Sequence, residues 1–368
     1  MNNTAWNQFN NVFKDKTVLL TGHTGFKGSW LTLWLHKLGA KVIGFSKDIP
    51  TEPSHFELLN LEEKCISIIG NINQKNDLYE VFEKYQPEIV FHLAAQSVVG
   101  YSYDNPIETF ESNVMGTINV FECCRKVNSV KAIVNVTSDK CYQNDEQNIA
   151  FTESSPMGGN DPYSCSKGAA ELITNCYRNS FFKNENIYLG SARAGNVIAG
   201  GDWTHDALMA DTVNAISRNE KMIIRSPYAT RPWQFVLEPL SGYLLLAQKL
   251  LEDGELFSEG WNFGPSDKES INVLDMLVLF KNNWDKISYD YNKQADFYKE
   301  AKYLRLDCTK ASENMNWKSV WPIQKAVEKT AQWYKNYYEE GEILSEIHLQ
   351  EYISDARELE YDWASGDN

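Results

Sequence analysis

The chain is most constrained by a strand, a glycine-rich turn and a helix that follow one another near its beginning. The β-favouring segment 17–20 leads into Gly22, Gly25 and Gly28, and apolar residues then recur at helical spacing over 30–38. Glycines allow a tight turn in which the free N–H groups at the helix start can bind a pyrophosphate. The spacing differs from the more familiar G-x-G-x-x-G, so an ordinary turn is the alternative. The segment predicts a dinucleotide-binding unit.

The charge of the chain limits its partners. Its 368 residues include 50 acidic and 35 basic side chains, a net charge of −15. That balance disfavours a nucleic-acid backbone or an anionic membrane, so a negatively charged substrate requires a local cationic site. No stretch has the length of a membrane span, and residues 1–6 lack the pattern of a signal peptide, which predicts a cytoplasmic protein.

The seven cysteines have no metal-ligand spacing and include no C-x-x-C pair. We therefore expect reduced thiols and no metal site.

Strands and helices alternate through the first half of the chain. The predicted strands after the first are 41–46, 65–70, 88–93, 132–137 and 187–192. This alternation predicts a doubly wound parallel sheet covered by helices on both faces, with ligands at the carboxyl ends of its strands. Lys47 and Asp48 follow the second strand, where a cation favours NADP and a carboxylate favours NAD. At this position the sequence therefore allows either cofactor.

A helix predicted to begin at Asp161-Pro162 carries a tyrosine and a lysine four residues apart. Asp161 is a suitable N-cap and Pro162 a suitable first-turn residue. The four-residue spacing places Tyr163 and Lys167 on one helix face. An ammonium there would lower the pKa of the tyrosine toward that of a useful general base.

The regular alternation fades after residue 193, which predicts a second, smaller mixed α/β domain. We expect a first domain of 1–193, to which 234–253 returns, and a second domain of 194–233 and 254–368. Within the second, Arg225 and Arg231 lie near aromatic residues such as Trp233. Guanidinium groups and rings suit a nucleotide diphosphate, although a solvated loop is the alternative.

Together these motifs resemble the extended short-chain dehydrogenase/reductase superfamily and, within it, the CDP-glucose 4,6-dehydratases. The resemblance runs from about residue 13 to 334. The stretches that carry it are TGHTGFKGSW at 21–30, PTEPS at 50–54, HLAAQ at 92–96, PMGG at 156–159, DPY at 161–163, SARAGNV at 191–197, YATRPWQ at 228–234, LRLD at 304–307 and WY at 333–334.

The resemblance implies a Rossmann-type α/β fold and an NAD-dependent lyase that acts on a CDP-sugar. Tyr163 would take the proton of the sugar 4-hydroxyl as hydride passes from C4 to NAD⁺, with Lys167 on the ribose and Ser138 steadying the hydroxyl. Asp139 would protonate the hydroxyl that leaves C6, and Lys140 would act at C5. The hydride would then return to C6, giving a 4-keto-6-deoxy sugar.

Further expectations from the resemblance concern binding and assembly. We expect tightly bound NAD, a homodimer or a higher homo-oligomer, and a role in making dideoxysugars of the lipopolysaccharide O-antigen. The expected cofactor residues are Gly22, Thr24, Gly25, Phe26, Lys27, Gly28, Asp48, Asn71, Ile72, Leu93, Ala94, Ala95, Gln96, Asn113, Tyr163 and Lys167. The expected substrate residues are Gln96, Ser97, Arg193, Asn196, Arg225, Arg231 and Trp233.

Three rival interpretations stay open. A nucleotide-sugar 4-epimerase would share Tyr163 and Lys167 but has no use for the Asp139-Lys140 pair. A 4,6-dehydratase for another nucleotide sugar is the second rival, although these usually carry Asp-Glu at the same two positions. A cofactor-binding scaffold without catalysis is the third, because dinucleotide folds also serve as sensors.

Overall fold

The fold is known from a computed structural model that describes residues 6–145, 149–224, 226–265, 271–291 and 303–365. Its strands are β1 Thr17–Thr21, β2 Lys41–Ser46, β3 Ile66–Ile69, β4 Ile89–His92, β5 Ala132–Val136, β6 Tyr188–Ala194, β7 Val197–Ile198, β8 Met222–Ile224, β9 Thr230–Arg231, β10 Gln234–Phe235, β11 Gly260–Phe263, β12 Ile271–Asn272 and β13 Tyr289–Tyr291.

The helices alternate with these strands in the first half of the chain. They are α1 Phe26–Lys37, α2 His55–Leu58, α3 Lys75–Tyr85, α4 Val99–Asp104, α5 Pro106–Phe110, α6 Gly116–Lys126, α7 Pro162–Tyr177, α8 Lys183–Glu185, α9 Leu208–Ser217, α10 Leu237–Asp253, α11 Val273–Asn283, α12 Thr309–Met315, α13 Ile323–Glu340 and α14 Ser345–Glu358. Two π-helical turns, Glu111–Met115 and Arg178–Phe182, lie between α5 and α6 and between α7 and α8.

A seven-stranded parallel sheet forms the centre of the molecule, in the order β11-β6-β5-β4-β1-β2-β3. The order reverses beside β1, so the carboxyl ends of β1 and β4 flank a crevice of the kind that binds dinucleotides. The predicted doubly wound, Rossmann-type parallel sheet is therefore confirmed.

Apart from the edge strand β3, whose residues are mostly exposed, the sheet is buried on both faces. Along β1, Val18 and Leu20 belong to one apolar cluster and Leu19 to the other. The first cluster includes residues of α1 and α10, and the second includes residues of α3 and α6. Because successive side chains of a strand point to opposite faces, a strand covered on both faces must be apolar throughout, as 18–20 is.

Three two-stranded sheets lie beyond the central one: β7 with β10, β8 with β13 and β9 with β12. The structure places two elements of the expected second domain on the first. β11 pairs with β6 at the edge of the central sheet, and α14 packs against α1. Helix α10 packs against β5 and β6. Division into a cofactor domain and a substrate domain stays a proposal, in which β11 belongs to the cofactor domain.

Within the described ranges, none of the helices combines the length and the apolar character needed to cross a bilayer.

Candidate active site

The glycine loop between β1 and α1 leaves room for a ligand at one position only. A Cβ on Gly28 would lie 1.9 Å from the Gly22 carbonyl oxygen, and one on Gly22, whose φ is +79°, would lie 2.8 Å from the Ala94 nitrogen. These two glycines allow backbone segments to pack together. A Cβ on Gly25 would meet only the Gly22 oxygen, at 3.5 Å, beside the first turn of α1. The open side of Gly25 at a helix N-terminus fits a pyrophosphate.

The residues after β2 favour one of the two cofactor interpretations. Thr24 Oγ1 donates to the Asp48 carbonyl oxygen at 2.6 Å and so joins the glycine loop to this segment. The Lys47 ammonium pairs with Glu108 at 3.1 Å. Because Lys47 is engaged there and Asp48 is exposed, the arrangement favours a carboxylate on ribose hydroxyls over a cation on a 2′-phosphate.

His23, a buried residue of the glycine loop, bonds the loop to the neighbouring strands. The sequence-based prediction did not include it. His23 Nδ1 bonds the Ser46 hydroxyl at 2.8 Å, and its Nε2 bonds the Ser67 hydroxyl at 2.7 Å. Burial lowers the pKa of His23 to about 4, so the ring is neutral at pH 7. The ring therefore ties the loop to β2 and β3.

The expected cofactor residues after β4 are held in place by hydrogen bonds from Asn113. Asn113 Oδ1 accepts from the Gln96 backbone N–H at 2.8 Å, and its Nδ2 donates to the Gln96 carbonyl at 2.9 Å and to Ser166 Oγ at 2.8 Å. This amide thus positions the 93–96 segment against α7, and its hydrogen-bonding atoms are directed to protein partners. Asn71 Oδ1 likewise accepts from the backbone N–H of Asn73 at 2.9 Å, beside the buried Ile72.

The predicted catalytic residues come together where β5 ends and α7 begins. Asp161 Oδ1 caps α7 by accepting from the Ser164 N–H at 2.9 Å, and Pro162 occupies its first turn. Ser138 Oγ donates to Asp139 Oδ1 at 3.1 Å and accepts from the Lys140 N–H at 3.2 Å. Ser138 thus caps a single-turn 3₁₀ helix, Asp139–Cys141, and Ser138, Asp139 and Lys140 all line one cleft.

Tyr163 and Lys167 do not interact as the spacing predicted. Burial raises the pKa of Tyr163, and a hydrogen bond with Ser138 opposes the increase. Lys167 Nζ instead donates to the Val136 carbonyl oxygen at 3.4 Å. Burial and the nearby Lys27 ammonium lower the pKa of Lys167 to about 8. The expected lowering of the tyrosine pKa by Lys167 is thus not seen, because the lysine turns toward the strand end.

Asp139 lies in surroundings that raise its pKa. Its side chain is 2% exposed, and burial raises its pKa even though Lys140, Ser138, Lys27 and Arg231 all act in the opposite direction. A carboxyl with a raised pKa can act as a general acid close to neutral pH.

Lys27, expected to contact the cofactor, also lines this cleft. Burial lowers its pKa to about 8, while Asp139 and Asp202 raise it. The sequence-based prediction had not included Asp202, which is buried behind the cleft in the 200–203 turn.

The cleft has a volume of about 280 Å³ and contains most of the predicted reactive groups. The predicted residues that line it are Lys27, Ser97, Ser138, Asp139, Lys140, Tyr163, Asn196 and Arg231. Thr204, His205 and Asp206 line it as well and were not predicted, although they directly follow the Gly-Gly-Asp-Trp turn.

Three expected substrate residues do not line the cleft, and one lies outside the described residues. Arg193 is 5% exposed, and its Nη2 pairs with Glu171 Oε2 at 2.7 Å, away from the cleft. Trp233 is 4% exposed within the apolar core. Gln96 Nε2 donates to the Val98 carbonyl at 2.8 Å. The side chains of Arg193 and Trp233 are thus engaged by protein groups. Arg225 lies outside the described residues.

A doubly wound sheet, a glycine loop and a serine, tyrosine and lysine at the ends of β5 and α7 are the features of the extended short-chain dehydrogenase/reductase class. The family model described as GDP-mannose 4,6 dehydratase matches residues 19–330. The CDP-glucose 4,6-dehydratase of Salmonella typhimurium is 45% identical over 352 residues, which cover 94% of this chain and 98% of the relative. The chain belongs to the GDP-mannose 4,6 dehydratase family.

Solved structures share the fold at lower identity. The epimerase Mth375 of Methanothermobacter thermautotrophicus superposes with a TM-score of 0.78 at 23% identity, covering 90% of this chain and 96% of the other. The dTDP-glucose 4,6-dehydratase of Bacillus anthracis, in complex with NAD, gives a TM-score of 0.71 at 20% identity, covering 88% and 98%.

Proposed function

We propose that this protein is an NAD-dependent CDP-glucose 4,6-dehydratase that converts CDP-D-glucose to CDP-4-keto-6-deoxy-D-glucose and water. The observation that carries the proposal is the buried Asp139, whose pKa is raised, in one cleft with Ser138, Lys140 and Tyr163. A dehydration needs an acid for the departing hydroxyl, and epimerisation at C4 does not. Similarity to the Salmonella CDP-glucose 4,6-dehydratase over nearly the whole chain supports the CDP-sugar.

NAD fits the glycine loop, and when bound it accepts hydride from C4 of the sugar and returns it to C6. The pyrophosphate would lie at Gly25 and the first turn of α1, where the backbone leaves room. Asp48 would take the adenosine ribose hydroxyls. Lys167 would hold the other ribose, once its ammonium turns from the Val136 carbonyl.

The chain's own residues move the protons. Tyr163 takes the proton of the 4-hydroxyl, which Ser138 steadies by a hydrogen bond. The resulting 4-ketone makes the C5 proton acidic, and Lys140 takes that proton. Asp139 then gives its proton to the oxygen on C6, so that the C6–O bond breaks and water leaves. When C6 has been reduced, Lys140 returns a proton to C5, Tyr163 releases to solvent the proton that it took from the 4-hydroxyl, and Asp139 recovers its own from solvent.

Groups on the wall of the same cleft suit the nucleotide diphosphate. Arg231 is 5% exposed, and its Nη1 donates to the Thr230 carbonyl at 2.9 Å. This contact fixes the guanidinium direction at the cleft, as a phosphate site requires. Ser97 and Asn196 line the cleft beside it and offer hydrogen bonds to sugar hydroxyls. Arg225 remains part of the proposed site from its position in the sequence.

Incubation of the purified protein with CDP-, dTDP- and GDP-glucose tests the proposal. We expect a 4-keto-6-deoxy product from CDP-glucose, with water lost from C6. Interconversion of 4-hydroxyl epimers without loss of water would favour the 4-epimerase instead. A faster reaction with dTDP- or GDP-glucose would support a 4,6-dehydratase but show that its substrate carries a different nucleotide.

We also propose a homodimer built on the face formed by α5, the π turn that follows it, and α7. Four large apolar side chains are exposed on these elements: Ile107 at 73%, Phe110 at 37%, Met115 at 50% and Leu172 at 62%. Two copies that pair these helices across a two-fold axis would cover them in a four-helix bundle.

The seven cysteines are all free thiols, two of them exposed. This supports the proposed cytoplasmic location, since exposed thiols persist in a reducing compartment. A role in dideoxysugar synthesis for the lipopolysaccharide O-antigen remains part of the proposal.

A further inference from the structure

A buried ion pair lies behind the catalytic turn, between α7 and β6. Glu171 and Arg193 are joined by Oε2 and Nη2 at 2.7 Å, with side chains only 4% and 6% exposed. Neither residue lines the cleft that contains Tyr163 and Asp139. The pair therefore does not contact a ligand in that cleft directly.

On one side, the pair is bonded to the residue that precedes the turn. The Thr137 hydroxyl donates to Glu171 Oε1, and Thr137 is followed directly by Ser138. Glu171 lies one helical turn beyond Lys167 and two turns beyond Tyr163 on α7. One carboxylate therefore connects the strand end that carries the acid to the helix that carries the base.

On the other side, the pair is bonded to the residue that follows the turn. Arg193 Nη1 donates to the Tyr142 hydroxyl at 2.7 Å, and that hydroxyl donates to Asn262 Oδ1 at 2.7 Å. The Asn262 amide donates in turn to the Phe151 carbonyl at 2.9 Å. The Tyr142 ring also stacks on Phe151, with ring centres 5.0 Å apart and an interplanar angle of 7°. The 138–141 turn is thus anchored at both ends to one ion pair.

Several neighbouring groups bind the pair. Burial raises the pKa of Glu171, but Arg193 and the hydroxyl donors outweigh it and leave the pKa below its usual value. Both oxygens have donors, because Ser191 Oγ donates to Oε2 at 2.8 Å. Strand β11 approaches the guanidinium closely on one side, since a Cβ on Gly260 would lie 2.2 Å from Arg193 Nη2.

We propose that Thr137, Glu171, Arg193 and Tyr142 form a positioning unit for the reaction, which holds Ser138, Asp139 and Lys140 in register with Tyr163 and Lys167. The inference rests on the proposed function for its kinetic consequence, but its structural claim does not depend on the substrate. Misplacement of reacting groups by about 1 Å costs on the order of 100-fold in rate, which such a unit would prevent.

Paired substitutions at one residue test the proposal. Thr137→Val removes the hydroxyl and keeps the shape, whereas Thr137→Ser keeps the hydroxyl. Ser191→Ala is the matched control, because it removes a donor from the same carboxylate without touching the turn. The measurements are kcat and KM for CDP-glucose, and amide hydrogen exchange of the 137–142 peptide in the substrate-free protein.

We expect kcat of Thr137→Val to fall roughly 10- to 100-fold with KM within about threefold of the parent, and exchange of its 137–142 peptide to accelerate. Thr137→Ser and Ser191→Ala should keep both the rate and the exchange of the parent. Equal behaviour of Thr137→Val and Ser191→Ala, or a rate loss without faster exchange, would overturn the proposal.

The test remains decisive if Thr137→Val does not fold or if the parent is inactive on CDP-glucose. If Thr137→Val does not fold, Tyr142→Phe, which keeps the ring stack and removes the hydroxyl, is judged by the same criteria. If the parent forms no 4-keto product from CDP-glucose, the proposed function fails, and the exchange comparison alone decides whether the unit positions the turn.

Discussion

Replacement of Asp139 by asparagine isolates one step of the proposed reaction. The amide has nearly the same size, and its oxygen can still accept from Ser138 Oγ, which lies 3.1 Å from Oδ1 in the parent. It cannot give a proton to the hydroxyl leaving C6. Loss of a positioned general acid lowers a rate by a factor of about 10² to 10⁴, or about 3 to 5 kcal/mol of activation free energy.

The earlier oxidation at C4 uses Tyr163 and not Asp139, so the variant should stop after it. With CDP-glucose, Asp139→Asn should accumulate the absorbance of enzyme-bound reduced nicotinamide while it releases little 4-keto-6-deoxy product. Asp202→Asn is the matched control, because Asp202 is also buried with a raised pKa but does not line the cleft. We expect the control to turn over within about threefold of the parent.

The pH dependence of the Tm gives a second, independent test of the role of Asp139. The pKa of Asp139 is raised in the folded protein above its ordinary value of 3.8. The unfolded chain therefore loses this proton at lower pH than the folded one, and the carboxylate costs the parent stability as pH rises through the folded pKa. The difference between the Tm of Asp139→Asn and that of the parent should therefore increase as the pH rises from the ordinary aspartate pKa toward the higher pKa of the folded protein. Rapid product release by the variant, or a Tm difference independent of pH, would refute the reasoning.

The remaining predictions concern the base, the glycine loop and the assembly. Tyr163→Phe should keep the fold and lower kcat by a factor on the order of 10² or more, measured with CDP-glucose. Gly25→Ala should keep the parental Tm but weaken NAD binding in calorimetry, whereas Gly28→Ala, with its Cβ 1.9 Å from a carbonyl oxygen, should lower the Tm itself. Sedimentation should show a dimer of 42.2 kDa chains that Ile107→Arg dissociates, and a parent monomer at micromolar concentration would exclude the dimer.

The parts of the site that sequence could predict are those fixed by local spacing. The segment 17–28 determines its own strand, turn and helix start, because each glycine there meets backbone only a few residues away or on the adjacent strand end. Tyr163 and Lys167 share a helix face whatever the rest of the chain does. Ser138 and Asp139 follow a buried strand, and parallel topology brings that strand end to the same edge of the sheet.

The parts that could not be predicted depend on partners distant in the chain. Arg193 resembles a phosphate ligand in the sequence, yet its partner Glu171 precedes it by 22 residues and lies on another element. Glu171 did carry a signal, since it continues the four-residue spacing of Tyr163 and Lys167. Strand β11 was assigned to the second domain because the alternation of strands and helices had already faded, and its pairing with β6 follows from tertiary packing alone.

Helix α14 packs against α1, and beyond it the Trp363 ring stacks on Phe9 with ring centres 5.3 Å apart. Trp34 of α1 contacts both Trp363 and Tyr352 edge-on at 6.0 Å. During synthesis on the ribosome, the glycine loop and its helix therefore emerge well before residues 345–364, which cover them. Until then Phe9 and Trp34 lack these ring contacts, so premature termination near residue 340 should leave apolar surface that promotes aggregation.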